Sequence, residues 1–247
     1  MWSISGKLLH TDTYVAKYSD MLAHIIGASS VSILDTACGT GFPALNLIEK
    51  GFCNISCSDA DEDLLDEFRQ RMSASAVDLT LMRCGWQTLS QSIKNQYDVV
   101  LCVDAAIGFM DSWMDGEMRS GPARILDRVT EVLRQFVSVT ANGGRFIIGL
   151  QKNNSRSNVY YSMLVGSFPV EGIEAEAWWN MSYDWEARVK TWENVVTWKG
   201  QRFTQTKQSY LFDKAELAEL LLKAGFSSVR EAPTPADIYE DILIATR

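Results

Sequence analysis

The stretch ILDTACGTGFPAL, Ile33 to Leu45, runs from an apolar strand through a glycine-rich turn into a helix, and its reading decides the fold. Gly39, Gly41 and Ala44 satisfy the G-x-G-x-x-G/A spacing of nucleotide-binding α/β units, in which residues lacking a Cβ let the backbone turn tightly against a ligand. On the glycines alone a dinucleotide fits. Asp35, at the end of the strand, shifts the balance: its carboxylate stands beside the turn, where it repels a pyrophosphate but attracts a ligand carrying positive groups. Asp59 closes the next strand and suits the two hydroxyls of a ribose, a placement that both kinds of nucleotide share. The same carboxylate could equally cap the helix that begins near Asp61.

Outward from this turn, short β-rich runs alternate with helical patterns. Strands are expected at 31–35, 54–59, 79–84, 98–103 and 145–150, and helices at 44–50, 61–75 and 124–141. The last of these helices puts Ile125, Val129, Val132, Leu133, Phe136 and Val137 on one face and stops at Asn142-Gly143-Gly144. Asp213 caps the helix KAELAELLLKAGF, and SSVRE and YEDILIATR read as a closing C-terminal β-hairpin. The pattern predicts an α/β fold: a Rossmann-like, seven-stranded, mostly parallel sheet with helices on both faces. Five parallel strands finished by a helix and a hairpin depart from the six-strand dinucleotide order. From Ala177 onward the chain is rich in aromatic and β-branched residues, with a turn signal at Lys199-Gly200. Residues 153–208 therefore read as an antiparallel insertion or lid, residues 1–30 as an N-terminal lid region, and 1–247 as a single domain.

The 247 residues are 47% hydrophobic and 22% charged with a net charge of −8, enough for one large core and without the basic surface that nucleic acid or an anionic membrane requires. The five cysteines form no C-x-x-C, and His10 and His24 are the only histidines, so no metal site is expected. No apolar run approaches the roughly 20 residues that span a bilayer. MWSISGKLLHTDTY lacks the basic start and apolar run of a signal peptide, and a reduced, cytoplasmic setting is the expectation.

ILDTACGTGFPALNLIEKGF, SDADEDLL, CGWQTLS, YDVVLCVDAAIGFM and LFDKAELAELLLKAGF together resemble the class I S-adenosylmethionine (SAM)-dependent methyltransferases, and within them the glycine N-methyltransferase and glycine/sarcosine methyltransferase group. The resemblance implies SAM as cofactor and S-adenosylhomocysteine as product; the ammonium and sulfonium of SAM suit Asp35. It places cofactor contacts at Tyr14, Asp35, Ala37, Cys38, Gly39, Gly41, Asp59 and Ala60, the adenine at Gly85 and Trp86, and Cys102 and Val103 beneath the cofactor. Tyr14 and Tyr18 resemble tyrosines that fold over the methionine part of SAM. Tyr18, Met21, Leu22 and Ile25 also have the spacing of a packed helical face.

Methyl transfer needs an aligned, unprotonated nucleophile shielded from water. Asp104 directly follows the fourth strand, at the carboxyl edge where ligands of such sheets gather, and with Tyr18 it is the catalytic candidate. Asp111 and Glu117 are secondary choices. Aligned with the glycine enzymes, Lys152 stands where an arginine grips the substrate carboxylate, Asn154 where a tyrosine is expected and Ala105 where an asparagine is expected. Tyr160 and Trp178 are further substrate-side candidates. A lysine is a point charge and not a bidentate fork, which departs from recognition of glycine. The expected activity is transfer to the nitrogen of a small amine, amino acid or guanidino compound by in-line displacement. A small-molecule O-methyltransferase, an NAD(P)-dependent oxidoreductase and a non-catalytic SAM-binding protein stay open. Trp178, Trp179, Trp185, Trp192 and Trp198 suit a cage for a cationic amine, the interface of a homo-oligomer, or ordinary packing.

Overall fold

The computed structural model describes residues 10–75, 77–110, 122–152, 157–170 and 172–247. In chain order its elements are α1 (Asp12–Ile26), β1 (Ile33–Asp35), α2 (Ala44–Glu49), β2 (Ile55–Asp59), α3 (Glu62–Ser75), β3 (Thr80–Arg83), α4 (Leu89–Ser92), β4 (Tyr97–Cys102), α5 (Pro122–Val139) and β5 (Thr140–Gln151). They continue with β6 (Val159–Val170), β7 (Ile173–Asp184), β8 (Val189–Trp198), β9 (Gln201–Tyr210), α6 (Lys214–Ala224), β10 (Ser228–Ala232) and β11 (Glu240–Thr246). The chain gathers into two compact units.

The larger unit comprises Val15–Ile107, Leu126–Lys152 and Asp213–Arg247. Its seven strands run in the order β10-β11-β5-β4-β1-β2-β3, the predicted sheet. β1 to β5 are parallel where they pair, whereas β11 lies antiparallel between β5 and β10. Ile33, Leu34, Val99, Val100 and Leu101 are buried, as strands covered on both faces must be. Phe136 of α5 stacks on Phe146 of β5 at 4.6 Å, and Phe146 stacks on Phe226 at 5.6 Å, a column that fixes α5 and the turn after α6 against the sheet. The expected break at Asn142–Gly144 lies inside β5, where the pairing with β4 shifts register between Tyr97 and Val99. Gly144 is needed there because a Cβ would meet the Ala141 carbonyl at 2.8 Å and the Asp98 carbonyl at 3.1 Å.

The smaller unit is an antiparallel meander, β6-β7-β8-β9, with two more strands than a hairpin needs. Lys199 (φ 50) and Gly200 (φ 71) form the two-residue turn between the paired Trp198 and Gln201, as the sequence signal there predicts. Along β7, Ala175, Ala177, Trp179, Met181 and Tyr183 are buried at every second position. Trp179, Met181 and Tyr183 form one apolar cluster with Leu211. Among the described residues, no helix is long and apolar enough to cross a membrane.

Candidate functional site

The glycine turn after β1 separates binding from packing. Gly39 (φ 48) faces open space, for a Cβ built there meets no atom within 4 Å. At Gly41 (φ 110) a Cβ would strike the Phe68 ring of α3 at 2.7 Å, so this glycine lets the turn lie flat on the helix. Asp35 is only 1% exposed. Its Oδ1 accepts the Ala37 amide at 3.2 Å, while its Oδ2 is buried with no hydrogen-bond partner. Burial, with the charges of Asp59 and Asp104 nearby, pushes this carboxyl up to about 7, against the pull of the Ala37 amide. Asp59 Oδ2 accepts the Gly39 amide at 2.9 Å and Oδ1 accepts the Asp61 amide ahead of α3 at 3.0 Å. Burial raises the Asp59 carboxyl as well, opposed by these amides.

Ala60 and Gly85 lie together beyond β2 and β3, with a Cβ on Gly85 only 4.0 Å from that of Ala60. Trp86 donates its indole Nε1 to the Thr36 carbonyl at 2.6 Å and meets Phe136 edge-on at 5.8 Å. The indole N–H thus buttresses the glycine turn, and only the ring face is left for a base. Cys38 is buried beside Cys57. Cys102 and Val103 are buried at the end of β4, and burial drives the Cys102 thiol well above its usual range.

At the carboxyl edge, β4 runs into two consecutive non-glycine residues in the left-handed region, Asp104 (φ 61) and Ala105 (φ 54). Such a conformation persists only where its surroundings impose it. Tyr239 donates its hydroxyl to Asp104 Oδ1. The neighbouring Glu240 is fully buried, and its Oε2 accepts the Tyr18 hydroxyl at 2.5 Å. Tyr18 is itself completely buried in α1. Tyr239 and Glu240 escape a sequence reading because YEDILIATR shows only a strand. The antiparallel course of β11 carries the first residue of that strand to the same edge as the last residues of β4 and β5, with Glu240 opposite Gln151.

The substrate-side candidates fall in both units. Lys152 donates from Nζ to the Pro235 carbonyl at 2.6 Å. Asn154, Asp111 and Glu117 lie outside the described residues. In the smaller unit, Tyr160 is 69% exposed on the face of β6 that continues to Trp178 of β7, through the pairs Tyr160–Ser182 and Leu164–Trp178. Tyr14 stacks on His10 at 5.9 Å in that same unit. Trp178 and Trp179 necessarily point to opposite faces of β7, and Trp185 and Trp192 pack against the cluster that holds Trp179. Trp192 meets Trp179 edge-on at 5.0 Å, and the cation on its face is the protein's own Lys190, 4.5 Å from the ring centroid. Burial lowers the Lys190 ammonium to about 7.

The unpartnered Asp35 oxygen, the open face of Gly39 and the Asp59 carboxylate fit a ligand that joins positive groups to a ribose. A pyrophosphate would meet Asp35 instead. Residues 33–144 match the family described as a methyltransferase domain. That segment, set in this strand order, is a class I methyltransferase domain, whose cofactor is SAM; the oxidoreductase reading is thereby set aside. Over 72 residues, 29% of its length, the chain is similar to the glycine/sarcosine/dimethylglycine N-methyltransferase of Actinopolyspora halophila at 28% identity. Over 72 residues it is also similar to the glycine/sarcosine N-methyltransferase of Parasynechococcus marenigrum (strain WH8102) at 32% identity. The matched segment spans only 13% and 25% of those two proteins. In fold it is similar to SAM-bound CalS10, an amino pentose methyltransferase from Micromonospora echinaspora, with a TM-score of 0.73 at 16% identity over 100% of this chain and 96% of that one.

Proposed function

We propose that this protein is a SAM-dependent N-methyltransferase of a small amine, amino acid or guanidino compound, with Asp104 as the carboxylate that receives the acceptor nitrogen. The observation that carries this reading is the left-handed turn that presents Asp104 at the carboxyl edge beside Asp35 and ties it to Tyr239. When bound, SAM supplies a methyl carbon made electrophilic by positive sulfur. Asp35 would hold the positive end of the donor, and Asp59 its ribose. Asp104 would attract an ammonium-bearing acceptor and take its proton, which exposes the nitrogen lone pair for in-line attack. The names of the curated relatives, which act at nitrogen, favour the same acceptor atom. The free thiols of Cys38, Cys53, Cys57, Cys84 and Cys102 suit a reducing compartment such as the cytoplasm.

Mass spectrometry of SAM reactions with panels of amines, amino acids, guanidino compounds and alcohols tests the reading through methyl gain. Methylation of nitrogen compounds is expected, and methylation confined to hydroxyl compounds overturns it. Asp104→Asn is expected to lower kcat by about 10²–10⁴-fold, the usual range for a lost general base. Its SAM affinity, measured by calorimetry, should stay unchanged. A variant that loses SAM binding instead would assign Asp104 to the cofactor.

A further inference from the structure

Glu240 is a fully buried carboxyl one residue after the tyrosine that binds Asp104, and proton transfer by Asp104 gives it no role. The space it fills is made for it. Glu240 reaches across β5 to lie on Gly149, where a Cβ would come within 2.5 Å of Oε2 and 2.6 Å of Oε1. The Tyr18 hydroxyl holds Oε2, and Oε1 is buried with no hydrogen-bond partner. One residue earlier, Tyr239 donates its hydroxyl to Asp104. α1, β5 and the loop after β4 therefore meet at the start of β11.

We propose that Glu240 is a positioning residue: lodged on the bare Cα of Gly149 and gripped by Tyr18, its carboxyl fixes the left-handed Asp104–Ala105 turn and so aims the Asp104 carboxylate. The inference rests on the N-methyltransferase reading for the purpose of that aim. The turn has no glycine to make its conformation easy, so an external partner must hold it. Glu240 is that partner: its anchorage to Tyr18 and on Gly149 fixes the start of β11, from which the adjacent Tyr239 binds Asp104.

Its charge state matters. The groups that face Glu240 are Tyr18 from α1, Asp104 from the loop after β4, and Cys102 at the end of β4, with Asp35 of β1 also within reach of Cys102; Gly149 of β5 brings no charge. Among the described residues that face it there is no cation. Burial first, then the charge of Asp104, raise Glu240 to about 8, against the Tyr18 hydroxyl. At neutral pH the carboxyl is neutral and serves as a hydrogen-bonding wedge. Above about pH 8 it becomes a second negative charge beside Asp104, which stabilises an acceptor ammonium and opposes its deprotonation.

Three variants test this. Glu240→Gln keeps the shape and stays neutral, so its kcat should lie within about twofold of wild type at pH 7, since the hydrogen-bonding wedge survives. The ratio of its kcat to that of wild type should rise above pH 8, a comparison in which titration of the acceptor and of Asp35 cancels. Gly149→Ala leaves Glu240 in the sequence but displaces its head group. It should reduce kcat by about 10²-fold, the cost of misplacing a catalytic group by about 1 Å, with little change in SAM affinity. Glu240→Ala should match it in kcat. A Glu240→Gln variant as impaired at pH 7 as Glu240→Ala, or a kcat ratio flat with pH, overturns the proposal; so does a Gly149→Ala enzyme of normal kcat. A crystal structure of Gly149→Ala in which Asp104 and Ala105 keep positive φ overturns it whatever the acceptor is. By contrast, a wild-type protein that binds SAM but methylates no nitrogen compound overturns the acceptor reading alone.

Discussion

At the scale of single residues, the two glycines of the turn predict opposite phenotypes. An alanine at Gly41 would set its methyl 2.7 Å from the Phe68 ring and 2.9 Å from Leu45, in a backbone with φ 110. Gly41→Ala is expected to cost about 1–3 kcal/mol of stability, the range for overpacking a filled site, as measured by urea unfolding. Gly39→Ala meets no neighbour, so its cost is only the left-handed conformation, about 1–2 kcal/mol. Its loss should appear in SAM binding by calorimetry, and normal affinity would remove Gly39 from the cofactor cradle. The placement of Asp35, Gly39 and Asp59 around one turn is legible in sequence because strand, turn and helix are contiguous and their spacing alone brings these groups together. Glu240 is not legible. Its partners Tyr18 and Gly149 come from distant segments, and nothing in YEDILIATR distinguishes a buried carboxyl from a polar strand terminus.

At the scale of elements, α6 shows local chemistry setting a boundary. Asp213 accepts the Ala215 and Glu216 amides while the Glu216 side chain accepts the Asp213 amide, a closed capping box. Asp213→Ala should cost about 1 kcal/mol in thermal or urea unfolding, and Asp213→Ser should recover most of it. Loss of nothing in the alanine variant would show that packing of Leu217 and Leu221 alone sets the helix start. The meander is less legible. β7 declares itself by burial at alternate positions, but β6 exposes Tyr160, Tyr161, Met163 and Leu164 on both faces, so period-two patterning has no buried side to mark. Pairing with β7 makes it a strand. α5 ends before the predicted Asn-Gly-Gly break for a related reason: β4 captures Thr140 into the sheet, and cross-strand pairing overrides the helical preference of the last residues.

At the scale of the whole molecule, buried acids make stability depend on pH. Asp35 titrates near 3.8 when unfolded and about 7 when folded, and Glu240 near 4.5 and about 8. Between those values the folded chain binds more protons than the unfolded one, so both groups favour folding at the acid end, and their contribution is lost as pH rises through about 7 to 8. Lys190 acts oppositely over a higher window, its penalty easing as pH rises from about 7 towards 10.5. Urea unfolding without SAM should therefore show higher stability at pH 5.5 than at pH 8, and Glu240→Gln should flatten that slope; equal slopes would mean that Glu240 is charged in the folded protein. Saturating SAM adds stability by mass action, about 2.7 kcal/mol at one hundred times its Kd. The sequence by itself determined the nucleotide-binding unit, the class of cofactor and the order of sheet and helices, because these follow from contiguous spacing, hydrophobic period and capping. Only the tertiary structure decided that Tyr18 lies in the interior, that Trp179, Trp185 and Trp192 share one cluster, and that Glu240 lies on Gly149 beside the residue that binds Asp104. Those facts arise where β11 reverses direction beside β5 and where strands pair across the meander, and such long-range pairing leaves no local trace in the order of residues.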